Sequence, residues 1–209
     1  MEFIVDALKD FFTQLEHPIL QALVGGLFTW ILTALGASLV FFFKSTNRKT
    51  LDMCLGFTGG VMIAASFWSL LSPAIVAVEV QQELGITNMP IWFAPAFGFL
   101  LGALFLYYLD KNIPHLHLFE KVENAEGPKT NLKKTELLVL AIALHNIPEG
   151  LAVGVAFGAL AHSMDIGIEL GGAIALAIGM GLQNAPEGFA VSMPLRRQGL
   201  SKWKSWQWG

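Results

Sequence analysis

The chain has 209 residues, of which 54% are hydrophobic and only 14% are charged, and its mean hydropathy is +0.57. This composition excludes an ordinary water-soluble domain. The net charge of −3 comes without a basic patch interleaved with aromatic residues, so we expect no nucleic-acid partner. The single cysteine, Cys54, excludes a disulfide framework and a thiolate metal site.

Five apolar segments are long enough to cross a bilayer, since about 20 apolar residues span its hydrocarbon core. The first three contain no Asp, Glu, Lys or Arg, and the last two are equally apolar apart from a polar motif. We therefore predict an all-α integral membrane protein with one transmembrane domain of five helices. The predicted helices lie near residues 18–43, 53–78, 84–109, 135–160 and 170–195.

The Lys and Arg residues predict the orientation. Apart from Lys9, they follow the first, third and fifth segments, and cytoplasmic loops carry the positive excess. We expect the N-terminus outside, the C-terminus inside, and residues 110–134 to form a flexible cytoplasmic loop. His115 and His117 in this loop could contact a passing metal, but an ordinary polar loop is the simpler interpretation, because residues at i, i+2 do not share a helical face.

One polar signature occurs twice inside the last two segments. The copies are His145-Asn146-Ile147-Pro148-Glu149-Gly150 and Gln183-Asn184-Ala185-Pro186-Glu187-Gly188. On a helix the first and second positions lie one turn from the glutamate, so the polar groups converge on one face. Each proline predicts a kink or break in its helix. The glycines after each glutamate, with Gly154, Gly158, Gly179 and Gly181, predict close approach of the two motif helices.

The two glutamates carry the strongest argument. An ionised side chain at the bilayer centre costs about 2.5–3.5 kcal/mol on insertion scales. No Lys or Arg lies between Lys134 and Arg196, so a salt bridge within these segments is excluded. A bound cation, a shared proton or a water-filled path remains for Glu149 and Glu187. Hydrogen bonds that only hold the two helices together would explain the amide side chains but not the two carboxylates.

The ligand types favour a divalent ion. Carboxylate, imidazole and amide groups suit Zn²⁺, Fe²⁺, Mn²⁺, Co²⁺ or Cd²⁺ better than Na⁺, K⁺ or Cu⁺. Two adjacent metal positions are a hypothesis, with both glutamates bridging them. The first would use His145, Glu149, Gln183 and Glu187, and the second Asn146, Glu149, Asn184 and Glu187.

With these motifs the sequence resembles the ZIP (Zrt/Irt-like) family of divalent-metal transporters, and within it the GufA-like bacterial branch. The resemblance extends to Leu-Thr-Ala-Leu-Gly-Ala in the first segment, Gly-Val-Met-Ile-Ala-Ala-Ser in the second and Pro-His-Leu-His in the loop. It implies a binuclear metal centre and an elevator-like movement of a helix bundle against a scaffold. The implied metal ligands are His145, Asn146, Glu149, Gln183, Asn184 and Glu187.

The end of the sequence departs from the family pattern. Family members have eight helices, whereas this sequence stops at Gly209, where the sixth would begin. We therefore expect a C-terminal truncation, with helices six to eight missing and one further carboxylate lost with them. The tail with Trp203, Trp206 and Trp208 is interpreted as the start of that sixth helix rather than as a membrane anchor.

We predict a transporter and not an enzyme, which moves a divalent cation, Zn²⁺ foremost, inward across a bacterial cytoplasmic membrane by alternating access. The metal is the substrate, no cofactor is expected, and the partners are the bilayer and a second copy in a homodimer. An intramembrane metal-dependent hydrolase and a non-transporting metal-binding subunit are the alternatives. Met62 is interpreted as packing rather than metal path. His162 and Asp165 could gather metal at an outer entrance, although a solvated loop is the simpler interpretation.

Overall fold

A computed structural model describes residues 2–43, 47–117, 120–160 and 170–209, and within these ranges the regular structure is helical apart from one isolated β-bridge. A 3₁₀ turn at Leu39–Phe41 follows the helix Pro18–Ser38. A π-helical turn at Ser66–Leu71 joins the helices Arg48–Ala65 and Ser72–Glu83. The helices are α1 Glu2–Gln14, α2 Pro18–Ser38, α3 Arg48–Ala65, α4 Ser72–Glu83, α5 Phe93–Asn112, α6 Lys134–Ala159, α7 Leu170–Arg197 and α8 Lys202–Trp208.

Among the described residues, four segments are long and apolar enough to cross a membrane. They are Pro18–Phe41, Arg48–Glu83, Phe93–Asn112 and Lys134–Ala159. Helix α7 has 28 residues, but its polar motif lowers its hydropathy and it is not one of the four. The all-helical integral membrane class is thus supported, while the fifth span stays a prediction.

Two helices differ in extent from the predicted segments. The third segment was expected from residue 84, but α5 begins at Phe93, because Gly85 turns the backbone at φ +70° and Pro90 precedes the helix. The second segment begins at Arg48 rather than near 53, since the side chain of Asn47 caps it by accepting from Thr50 N at 2.7 Å.

Helix α7 is the centre of the fold and packs most extensively against α2, then against α3 and α6. Gly36 of α2 and Gly188 of α7 permit this crossing, since a Cβ on either would collide with the backbone of the other helix, at Ala185 O and Thr33 O. The prediction that motif glycines bring α6 and α7 together is wrong. Gly181 and Gly188 face α2, and a Cβ at Gly154 of α6 would meet open space.

The motif helices are not broken at their prolines, so the predicted break is wrong, while the predicted kink stays a prediction. Helices α6 and α7 continue through Pro148 and Pro186. A proline removes one backbone N–H, and the remaining hydrogen bonds hold the helix on either side when packing supports it.

Helix α5 presents an apolar surface to the surroundings. Phe97, Phe99, Leu100 and Leu104 are all more than half exposed. Such a surface is suited to contact with lipid tails, because the apolar side chains are then not exposed to water.

Sequence analysis placed no element before residue 18, yet α1 docks on the bundle. Phe12 is buried and its ring stacks on that of Phe157 in α6, with centroids 5.1 Å apart. The Gln21 side chain of α2 donates to Phe12 O at 2.8 Å. Helix α1 is therefore in contact with both α6 and α2.

The described part of the loop between α5 and α6 is folded rather than a flexible linker. His115 and Glu126 exchange two backbone hydrogen bonds of 3.1 and 2.9 Å. Leu116 is fully buried and packs in one cluster with Leu137 and Leu138 of α6. A long loop held in this way can position side chains.

Candidate metal centre

Glu149 is the centre of a polar network between the two motif helices. It lies on α6, is only 6% exposed, and accepts a 2.8 Å hydrogen bond at Oε1 from Gln183 Nε2 of α7. Gln183 is fully buried, and its own Oε1 has no hydrogen-bond partner. A buried amide oxygen without a donor is costly unless something else uses it.

Asn184 joins the same network from the next position of α7. The inner atom of its amide group lies 2.8 Å from Met180 O, 3.2 Å from Glu149 Oε2 and 2.7 Å from Gln183 Nε2. The outer atom lies 3.2 Å from the Thr33 hydroxyl of α2. With nitrogen inward, the nitrogen donates to Met180 O and Glu149 Oε2, and the amide oxygen accepts from the Thr33 hydroxyl. With oxygen inward, it accepts from Gln183.

The other three predicted ligands surround this network less tightly. Glu187 is half-buried on α7 and interacts electrostatically with Glu149. His145 also interacts electrostatically with Glu149, and its Nδ1 lies 2.7 Å from Ala141 O, which leaves Nε2 as the nitrogen free for a metal. Asn146 is exposed on α6, outside the buried network.

Two threonines on neighbouring helices also hold the motif of α7. Thr58 of α3 donates to Gln183 O at 3.3 Å, and Thr33 contacts Asn184. Sequence reasoning missed both, because a threonine in an apolar helix commonly bonds only to its own backbone. The available signal for Thr33 was its position three residues before Gly36, within the segment that carries the family resemblance.

A second group of metal-ligand side chains lies in the loop between α5 and α6. The group consists of Asp110, His115, His117 and Glu126, and one ligand atom from each lies within 4.8 Å of the others. His115 is 1% exposed, and its Nε2 lies 3.1 Å from Asp110 Oδ1 without forming a hydrogen bond. His117 Nε2 lies 3.5 Å from Glu126 Oε1. The loop thus brings the two histidines together without needing a shared helical face.

A cavity of about 180 Å³ separates the two groups of side chains. Its lining includes His145 of the motif together with Asp110 and His115 of the loop. Met62 of α3 also lines it, and its interpretation as packing stays a prediction. The complete lining is Met62, Leu106, Asp110, His115, Leu144, His145 and Pro148. The predicted outer entrance, His162 and Asp165, lies outside the described residues.

No protein-family model matches the sequence, but individual relatives do. Zinc transporter ZIP11 of Xenopus tropicalis is 37% identical over an alignment that covers 92% of this sequence and 76% of the relative. The human ZIP11 is 36% identical, with 93% and 77% covered. The chain belongs to the ZIP family. Zinc transporter GufA of Myxococcus xanthus, at 37% identity over 86% of this sequence and 65% of its own length, extends the ZIP similarity to bacteria.

Membership in the ZIP family confirms the resemblance inferred from the repeated motif. The relatives are named transporters rather than enzymes, which fits the prediction of a non-enzyme and disfavours the hydrolase alternative. Together with the apolar helices, they point to a multi-pass membrane protein.

Proposed function

We propose that this protein carries divalent metal ions, Zn²⁺ foremost, through a membrane by way of the side chains between α6 and α7. The observation that carries the proposal is Glu149, a buried carboxylate in a membrane-length helix that has amide neighbours but no Lys or Arg between Lys134 and Arg196. A cation would compensate this charge and also use the unpartnered Gln183 oxygen. The names of the ZIP relatives support zinc as cargo.

The six ligands are assigned to two adjacent positions that share Glu149 and Glu187. His145 supplies an imidazole to the first position, where Gln183 supplies an amide oxygen. Asn146 and Asn184 supply the amides of the second. The burial of Glu149, Gln183 and Asn184 supports this assignment most strongly, while Asn146 would need to turn inward.

The cavity beside His145 supports an exit route. A metal leaving the motif would next meet Asp110 and His115 and then the exposed His117 and Glu126. Lys and Arg residues are concentrated on the same side of the predicted spans as this loop, which favours the cytoplasm as the destination. Transport is therefore inward, with the N-terminus outside.

We further propose that α7 is the fifth span and that α2, α6 and α7 move together, as in an elevator. The close α2–α7 crossing at Gly36 and Gly188 supports a rigid unit. Helix α5, with its exposed apolar face, belongs to the scaffold and to a homodimer contact. The bacterial ZIP relatives favour the cytoplasmic membrane of a bacterium.

The test is Zn²⁺ uptake into proteoliposomes. The unmodified protein is compared with Glu149→Gln/Glu187→Gln and with Glu79→Gln/Glu83→Gln, which removes two carboxylates on α4 that lie outside the motif. We expect uptake by the unmodified protein and by the α4 control, and none by the motif variant. Equal uptake by all three would reject the proposed path, and no uptake by the unmodified protein would favour the non-transporting subunit.

A further inference from the structure

Met180 lies on α7 at the boundary between the polar network and an apolar cluster. It precedes Gln183 by three residues, Asn184 by four and Glu187 by seven, and this spacing places all four residues on one face of a helix. Its side chain is buried, with only 5% of the residue exposed. Met180 therefore shares its face of α7 with three of the predicted metal ligands.

The sulfur of Met180 contacts the centre of the network. Its Sδ lies 3.9 Å from Gln183 Nε2, and the same nitrogen donates to Glu149 Oε1 at 2.8 Å. The sulfur and the carboxylate oxygen thus converge on one point. This amide nitrogen is the sulfur's only hydrogen-bond donor among the residues that the structure describes. A cation that replaces it as the partner of Glu149 leaves the sulfur without a donor and lies beside it.

A thioether discriminates between divalent ions. It is uncharged, polarisable and a weak hydrogen-bond acceptor, and it is a soft metal ligand. Cd²⁺ is larger and softer than Zn²⁺ and binds sulfur more readily relative to oxygen. Zn²⁺ accepts a complete set of nitrogen and oxygen ligands, which the six predicted residues supply. The three rotatable bonds of methionine allow the sulfur to approach an ion held by Glu149.

Packing alone would not require the sulfur. On its other side Met180 belongs to an apolar cluster that includes Val153 of α6 and Ala177 of α7. Leucine has nearly the same volume as methionine and fills such a space at small cost. Because leucine has no lone pair to offer a metal, Met180→Leu separates the packing of this side chain from its contact with the network.

We propose that Met180 is a specificity-determining residue of the metal site, whose thioether joins the ligands of Cd²⁺ but not those of Zn²⁺. The inference rests on the proposed metal site between α6 and α7. It adds a sulfur to a site that the sequence motif describes with nitrogen and oxygen ligands alone, and it makes the preference between the two ions depend on this side chain.

The experiment measures the dissociation constants of Cd²⁺ and Zn²⁺ for the purified full-length protein in lipid nanodiscs. We expect Met180→Leu to raise the Cd²⁺ constant about tenfold, which corresponds to a loss of about 1.4 kcal/mol, and to leave the Zn²⁺ constant unchanged. Met193→Leu is the matched control, because Met193 is a fully buried methionine on the same helix that packs in a different apolar cluster, with Leu51 and Phe189. It should change neither constant.

The inference is overturned if Met180→Leu leaves both constants unchanged, or if it raises both by the same factor, which would assign the side chain to packing alone. In either case, Zn²⁺ binding that is lost in Glu149→Gln/Glu187→Gln upholds the site itself. An unmodified protein that binds neither ion would reject both the inference and the site.

If Met180→Leu does not fold, X-ray absorption at the cadmium edge decides. The sample is Cd²⁺-loaded Cys54→Ser/Met62→Leu, which lacks the single thiol of the sequence and the methionine that lines the cavity beside His145. A sulfur neighbour of the metal supports the inference, and nitrogen and oxygen neighbours alone overturn it.

Discussion

Replacing Glu149 by Gln should have opposite effects on stability and on metal binding. Glutamine has nearly the same shape and can still accept the 2.8 Å hydrogen bond from Gln183 at its amide oxygen. It removes a charge from a site that is 6% exposed. Since an ionised group at the bilayer centre costs about 2.5–3.5 kcal/mol on insertion scales, the metal-free variant should unfold at a higher temperature than the parent.

Zn²⁺ should stabilise the parent much more than the variant and so narrow the difference between them. At a free Zn²⁺ concentration about 100 times the dissociation constant, binding stabilises the parent by about 2.7 kcal/mol. Loss of one charged ligand interaction, about 1.5–3 kcal/mol, weakens binding by about 10- to 150-fold. For a loss of about 100-fold, the same Zn²⁺ concentration stabilises the variant by only about 0.4 kcal/mol.

The assay is thermal unfolding in nanodiscs, followed by tryptophan fluorescence, with and without Zn²⁺. Glu136→Gln is the matched control, because Glu136 is a carboxylate on the same helix whose oxygen accepts from Lys133 N at 2.7 Å, a bond that glutamine can keep. It should unfold like the parent under both conditions. The reasoning is refuted if Glu149→Gln is stabilised by Zn²⁺ as much as the parent is.

Three further predictions concern the helix crossing, the loop and α8. Gly36→Ala should destabilise the protein by about 1–3 kcal/mol, because the added Cβ meets the backbone of α7. Gly56→Ala is the control, since a Cβ there meets no other atom, and it should leave the stability unchanged. Thermal unfolding of both variants measures the difference. His117→Ala should reduce the Zn²⁺ retained in equilibrium dialysis, and His17→Ala, an exposed histidine before α2, should not. Trp206→Phe removes a 2.9 Å hydrogen bond to a carbonyl of α2 and should cost about 1 kcal/mol in unfolding free energy; an unchanged midpoint would contradict this.

The convergence of the motif side chains of α6 and α7 was predictable because two carboxylates stand out in apolar segments. Glu149 and Glu187 are recognisable in the sequence, since apolar segments of this length rarely contain carboxylates without a function. Their spacing to His145 and Gln183 follows from the helical repeat, which is a local property. The network that joins Glu149 to Gln183 agrees with this part of the analysis.

The role of α2 was not predictable from pattern. Gly36 and Thr33 look like ordinary residues of an apolar helix, and the helix that they contact lies about 150 residues later in the sequence. The same holds for His115, whose burial depends on a bridge to Glu126 and on the docking of Leu116 against α6. Contacts between distant, uncharged or loop residues depend on the packing of the whole molecule, and local periodicity carries no record of them.

The most direct test of the central claim is X-ray absorption at the zinc edge of the Zn²⁺-loaded protein. The proposed site predicts nitrogen and oxygen ligands at about 2.0–2.2 Å and no sulfur shell, and the contribution of the motif site should be lost in Glu149→Gln/Glu187→Gln, so that the spectrum changes. A sulfur shell at about 2.3 Å, or a spectrum unchanged in the double variant, would show that the metal binds elsewhere and would contradict the account.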